Sequence, residues 1–302
     1  MSEGGNQGEG AAGAGTDAMF SRGGDEVPPA PDIDTSKAHV ARMYDYFLGG
    51  KNNYAADRVA AEQFLKVMPQ VRVGARINRR FLIDSVRWLV EEAGVRQFVD
   101  IGSGLPTQQN VHEVAQGIDP DAKVVYVDND PLVRVHAEAL LATTSNTIVL
   151  EGDLREPEAL LERPELRGHI DFSQPVGLLL VAVLHFIHDT DEVARIVKTL
   201  CDALPSGSYL VVSHGIVDEN LQDAQDEARA IYNRSNSGIA LRTPAEIARF
   251  FEGLTPVGSG LTHIADWSIG DRSSRADDVI PIEDNSSYRN FPVVCGVARI
   301  DH

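Results

Sequence analysis

Cysteine is scarce in this 302-residue chain: Cys201 and Cys295 are the only two and stand far apart. Two distant thiols do not make a disulfide framework, and no Cys/His spacing suits zinc, so reduced thiols, a cytoplasmic location and no metal site are expected. Positive charge is also short, with 27 Lys and Arg against 45 Asp and Glu and a formal charge of −18. Such a surface repels a phosphate backbone and argues against a nucleic-acid partner. No apolar run approaches the ~20 residues of a membrane span. The longest, Val176 to Leu184, contains a glycine and reads as a buried strand. Met1 to Gly15 is polar and glycine-rich, so neither a signal peptide nor a membrane partner is expected. There is no Gly-x-Ser-x-Gly elbow and no repeat at solenoid spacing.

What is present divides into three stretches: 1–32, 33–95 and 96–302. Eight of the first 24 residues are glycine, and Pro28, Pro29 and Pro31 follow. That composition buries too little apolar surface to offset chain entropy, so 1–32 is expected to be a disordered tail. Asp34 or Ser36 can cap a first helix carrying Val40, Met43, Tyr44 and Phe47 on one face, and Leu48-Gly49-Gly50 ends it. Further helices are expected over 55–67, stopping before Pro69, and over 77–92, closed by Gly94. From residue 97 the pattern turns to alternating strand and helix. Strands are expected at 97–101, 123–128, 147–151, 176–183, 207–213 and 292–300. Helices are expected at 107–117, 131–142, 156–162, 190–204, 219–232 and 244–252. Such alternation predicts an α/β fold with a parallel sheet covered on both faces.

The most informative stretch is Phe98-Val99-Asp100-Ile101-Gly102-Ser103-Gly104, followed by Val124 to Asp128. Two apolar runs each end in an acid, with a tight glycine turn between them. This pattern suits a nucleotide-type cofactor lying across the first two strands. A dinucleotide prefers Gly-x-Gly-x-x-Gly, but here Thr107 occupies the third glycine position after Pro106, and Asp100 would face a dianionic group. S-adenosylmethionine carries a sulfonium and an ammonium, which a carboxylate attracts. The residues favour S-adenosylmethionine and leave the dinucleotide as the alternative. Asp128 can accept both ribose hydroxyls, with Asn129 beside it, or can cap the helix opened by Pro131. Asp130 suits the cap better. At Gly152-Asp153-Leu154 the acid can accept from the adenine amine, or can simply shape a turn.

Several blocks resemble an actinobacterial family of S-adenosylmethionine-dependent methyltransferases, long a domain of unknown function. They are Asp45 to Tyr54, Gln97 to Thr107, Asn110 to Gln116, Val125 to Pro131 and Val183-Leu184-His185-Phe186. The resemblance runs from about Ile33 to the C-terminus. It departs at Trp267-Ser268-Ile269, where members often carry Trp-Arg-Pro, and at Val111, where threonine is usual. The resemblance implies the class I methyltransferase fold: a Rossmann-like, seven-stranded sheet with the last strand antiparallel. It also implies S-adenosylmethionine as cofactor, and it supplies no substrate.

Methyl transfer from a sulfonium needs alignment and water exclusion, plus a base when a hydroxyl or amine must lose a proton. His185 and His214 follow strands four and five, where open α/β sheets place their sites, and are the candidate bases. Either could equally be a hydrogen-bonded structural histidine. His188 reads as exposed and His112 as structural. Tyr46, Gly50 and Asn52, with Lys51, are candidates for an N-terminal helical lid over the cofactor, or for a plain helix corner. Arg79, or Arg80 beside it, can pair with the methionine carboxylate, or Arg76 to Arg80 can form a solvated basic face. Val183 is a further expected cofactor contact, and Arg242, before Thr243-Pro244, reads as a surface residue, with a substrate contact as the alternative. The function expected is S-adenosylmethionine-dependent methyl transfer to an unidentified small molecule in a specialised pathway. A cofactor-binding regulator without catalysis and a nicotinamide-dependent oxidoreductase remain open, as does a homodimer.

Overall fold

Where apolar residues run uninterrupted, the chain makes the inner strands of a sheet. The computed structural model describes residues 34–106, 109–133, 135, 145–235, 237–270 and 291–301. The tail expected at 1–32, Thr107 of the glycine loop and the body of the helix expected at 131–142 lie outside them. Contacts divide the chain at Asp32/Ile33, and everything from Ile33 onward belongs to one unit.

The strands are β1 (Gln97–Ile101), β2 (Lys123–Asp128), β3 (Thr147–Glu151), β4 (Gly177–Val181), β5 (Tyr209–Gly215), β6 (Thr255–His263) and β7 (Val293–Arg299). They form one seven-stranded sheet in the order β3-β2-β1-β4-β5-β7-β6. The first five pair in parallel, and β7 runs antiparallel between β5 and β6. The order reverses direction beside β1, between β1 and β4, and there the carboxyl ends of the strands open a crevice.

Helices are α1 (Val40–Phe47), α2 (Ala55–Val67), α3 (Val71–Glu91), α4 (Val111–Ile118), α5 (Pro157–Leu161), α6 (Pro164–His169), α7 (Thr190–Asp202), α8 (Gln222–Tyr232) and α9 (Pro244–Ala248). Apolar residues of α3 and α4 bury one face of the sheet. Those of α5, α6, α7 and α9 bury the other. Burial on both faces explains why β4 reads Gly-Leu-Leu-Leu-Val with no polar residue. A third core joins α1, α2 and the start of α3 to α8 through Met43, Phe47, Phe64, Met68, Ile231 and Tyr232. This layer lies over the strand ends.

Four expectations need correction. The cap of α1 is His39, which accepts from Ala41 N–H at 3.3 Å, while Asp34 and Ser36 close a separate turn. Helix α3 begins six residues before Ile77. Arg72 and Arg76 break the apolar reading there, and Gly74 is retained because the Phe291 ring lies where a Cβ would stand, 2.2 Å away. Helix α6 is additional to the expected elements; Pro164 opens it at its first position. Strand β6 is additional to the six strands expected from the residues and supplies the seventh that the family resemblance implies. Pro256, Gly258 and Gly260 break its alternation, and a register shift between Val257 and Thr262 marks a bulge at this sheet edge.

Candidate functional site

A cavity of about 310 Å³ lies between the carboxyl ends of β1, β2, β4 and β5 and the layer formed by α1, α2 and α8. Its floor is the turn after β1. Gly102 has φ +73°, and a side chain there would run into Val183 Cγ2 at 2.3 Å. The backbone can therefore come close to a ligand at this point. Gly102 N–H donates to Val127 O at 2.8 Å, and Gly104 N–H donates to Asp128 Oδ2 at 2.8 Å. The loop is thus tied to the end of β2.

Two carboxyls face the cavity from adjacent strands. Asp100 is buried at the end of β1. Burial pushes its pKa up to about 7; the nearby Arg79 cation offsets this in part, and Asp128 adds to it. Asp128 is also buried and raised to about 6, although it accepts from Gly104 and Asp130 N–H. Asp130 accepts from Leu132 N–H at 2.9 Å and so carries the turn into the Pro131 segment. Its other oxygen lies 3.1 Å from His39 Nδ1 at the entry of α1.

Arg79 lines the same cavity from α3. Its Nη2 donates to Gln109 O at 2.9 Å, while its Nε is buried without a hydrogen-bond partner. Ser103, Asn129, Gly152, Asp153, Leu154 and Val183 line the cavity too. The Asp153 carboxylate is held by the Arg155 guanidinium, which keeps its pKa below the ordinary range. The donor set suits a cationic, hydroxyl-bearing ligand: two desolvated carboxyls, an orphaned guanidinium N–H, and a glycine at 102 where no side chain fits.

The two histidines behave differently. His214 is fully buried; its Nδ1 donates to Gly215 O at 2.6 Å and its Nε2 accepts from Arg242 at 2.9 Å. Burial lowers its pKa to about 4, so it is neutral with both nitrogens engaged. His185 lies in the turn after β4 and lines the cavity, with its Nδ1 shut away from solvent and unpartnered. Burial and the nearby His214 and Arg242 hold its pKa well below the usual imidazole range.

Arg242, expected at the surface, is only 2% exposed. Its five N–H groups go to Thr190 Oγ1, His214 Nε2 and the carbonyls of Leu184, Ile187 and His188. It therefore clamps the turn that presents His185. His188 is exposed, and His112 bonds the Tyr126 hydroxyl at 2.9 Å, both as expected from the sequence.

The lid reading needs correcting at residue level. Tyr46 turns its hydroxyl to Glu62 and its ring to Arg72, away from the cavity. Gly50 and Asn52 wrap the Asp45 carboxylate, which accepts from Asn52 N–H at 2.9 Å, and neither lines the cavity. The helices contribute other residues. Tyr44 donates to Ala75 O and accepts from Asn78 Nδ2, while Asn78 Oδ1 accepts from Ser213 Oγ at 2.6 Å. Rings then continue from His185 to Phe186 at 4.5 Å, Phe186 to Tyr232 at 6.0 Å, and Tyr232 to Phe64 at 5.1 Å. The spacing of Tyr44 on the first helix marked its face, but nothing in the sequence brought Phe64 beside Tyr232, 168 positions on.

Comparison with known proteins identifies the family. The model of the S-adenosyl methyltransferase family matches residues 26–301. A crystal structure from Thermobifida fusca YX, described as a candidate methyltransferase, is 42% identical and superposes with a TM-score of 0.79. The match covers 91% of this chain and 100% of that one. A DUF574 family protein from Streptomyces avermitilis is 39% identical with a TM-score of 0.79, over 88% of this chain and 98% of that one. No curated protein matches. The chain belongs to the S-adenosyl methyltransferase family.

Proposed function

We propose that this S-adenosylmethionine-dependent methyltransferase acts on a small-molecule acceptor held between the strand ends and α8, beside His185. The observation that carries the reading is the pair of buried carboxyls, Asp100 and Asp128, facing one cavity with Arg79. S-adenosylmethionine supplies an already activated methyl group on a cationic sulfur. Asp100 sets a negative charge against the ligand's positive end, and Arg79 Nε donates to its carboxylate. Asp128 keeps lone pairs for the ribose hydroxyls, while the Gly104 and Asp130 N–H groups hold its orientation. Gly102, Ser103 and Val183 shape the close-approach surface. Asn129, Gly152, Asp153 and Leu154 face the base. The layer of α1, α2 and α8 shuts out water, which alignment-driven transfer requires. His185 is the residue placed to take a proton from the acceptor, and His214 and Arg242 hold it in place.

Two measurements test this. Calorimetric titration with S-adenosylhomocysteine is expected to show 1:1 binding, weakened by about 10- to 100-fold in Asp128→Ala, the loss of hydrogen bonds to a charged group. Methyl-labelled S-adenosylmethionine with a small-molecule extract is expected to give a labelled product. Binding of NAD with no response to S-adenosylhomocysteine would overturn the reading.

A further inference from the structure

Beyond the cofactor half, the cavity changes character. Its three carboxyl groups, Asp100, Asp128 and Asp153, all stand at strand ends, and among the described residues none lines the part under α8. There the walls are Phe47, Phe64, Phe186 and Tyr232, with Met68 and Ala228 between them. The rings follow one another at centroid distances of 5.6, 5.1 and 6.0 Å, tilted or edge-on, and end against His185. The polar groups near this wall are largely engaged. Gln225 binds Asp218 N–H and Ile216 O, Asn78 binds Tyr44 and Ser213, and Arg229 pairs with Asp226 at 3.3 Å.

We propose that the acceptor is a flat aromatic compound bearing a phenolic hydroxyl, its ring against Phe186 and Tyr232 and its oxygen toward His185. This rests on the methyltransferase reading above. Tilted rings 5–6 Å apart take another aromatic face or edge well. A protonated amine would find no carboxylate here, and the buried Arg242 cation behind His214 opposes it. A carboxylate acceptor would meet Arg229 already paired with Asp226, and Arg242 already bonded to Thr190, His214 and three carbonyls. An aliphatic alcohol is too weak an acid for an imidazole whose basicity burial and two basic neighbours have reduced. A phenol lies within reach of such a base.

The step balances as follows. A lone pair of the phenolic oxygen forms the O–CH3 bond, the C–S bond breaks, and its electron pair returns to sulfur as a thioether. The phenolic proton passes to the His185 ring. Nδ1 is closed off, so Nε2 is the receiving atom.

The experiment uses the full chain. Titration with S-adenosylhomocysteine comes first, because its failure sinks the methyltransferase reading itself. The loaded protein is then titrated with 2-naphthol, 2-naphthylmethylamine and 2-naphthoic acid. Naphthol is expected to bind at least about tenfold tighter than either analogue and to be converted to 2-methoxynaphthalene with labelled S-adenosylmethionine. Phe186→Ala is expected to weaken naphthol by about tenfold, with S-adenosylhomocysteine affinity within about twofold. Tyr232→Leu repeats the test should Phe186→Ala lose cofactor binding. His185→Gln is expected to cut turnover by about 100-fold and leave naphthol binding in place. The proposal is overturned if the loaded protein ignores naphthol, if the amine or the acid binds as well or is methylated instead, or if neither ring substitution changes naphthol binding.

Discussion

Asp100 combines a carboxyl titrating near pH 7 with a position at the point of contact with a cationic ligand. A cation binds the ionised form, so cofactor affinity is expected to rise with pH from about 5.5 to 8, by at most tenfold per unit, and to flatten above. Binding should release a proton near pH 7, which calorimetry in buffers of different ionisation enthalpy would detect. The folded pKa lies above the unfolded value. In the ligand-free protein this group therefore lowers stability as pH rises from about 4 to about 7, and contributes no penalty below that window. Asp100→Asn should flatten the affinity profile. If the wild-type profile is already flat, the cation is not met by this carboxyl. Tyr46 makes the opposite case, because its hydroxyl serves Glu62 outside the cavity. Tyr46→Phe is expected to leave S-adenosylhomocysteine affinity within about twofold, a change inside the scatter of surface substitutions. Arg79, Asp128 and Val183 could be read as cavity residues because each follows from strand order or from a helix facing it. The facing of Tyr46, Gly50 and Asn52 could not, because a loop folded round a buried carboxylate leaves no periodic trace.

At the scale of elements, β1, β2 and β3 lie where the apolar runs end in acids, residue for residue. The inner strands β1 and β2 are buried almost throughout and carry a strong pattern, and the edge strand β3 keeps an unbroken Ile148-Val149-Leu150 run. The other edge, β6, is interrupted by Pro256, Gly258, Gly260 and a bulge, so its residues do not alternate. The turn holding His185 depends on an arginine 57 positions later, a contact with no local signature. Its energetic role is testable. A lysine at 242 has three N–H groups on one point, against five spread over a plane, and cannot reach the same carbonyls. Arg242→Lys is expected to lower stability by about 3 kcal/mol, a melting point lower by about 5 °C or more. It should also cut turnover by about tenfold while cofactor affinity holds, since the clamp acts on His185 rather than on the cofactor half. A surface arginine would change stability by no more than about 0.5 kcal/mol.

Among the described residues three large cores and a small cluster of Leu105, Leu132 and Val133 meet, and the cavity lies where the third core reaches the ends of the sheet. That arrangement makes ligand binding a link between layers. Among the described residues the covering layer is fastened by scattered polar contacts: the buried Arg42–Asp57 pair within itself, Tyr44 to Ala75 O and Asn78 on α3, and Gln225 to Ile216 O after β5. Such a layer should open more readily than the sheet beneath it. A ligand that touches both Asp100 below and residues of α1 above stabilises only the closed arrangement. At 100 times its dissociation constant, S-adenosylhomocysteine is expected to add about 2.7 kcal/mol, raising the melting temperature by several degrees. Hydrogen exchange separates a covering layer from a bystander. The amides of α1 should slow together with those of the 100–104 turn when S-adenosylhomocysteine binds, although only the turn belongs to the sheet. Protection confined to the turn, with α1 exchanging as before, would mean that the helices do not close on the cofactor. The exclusion of water would then have to come from the acceptor itself.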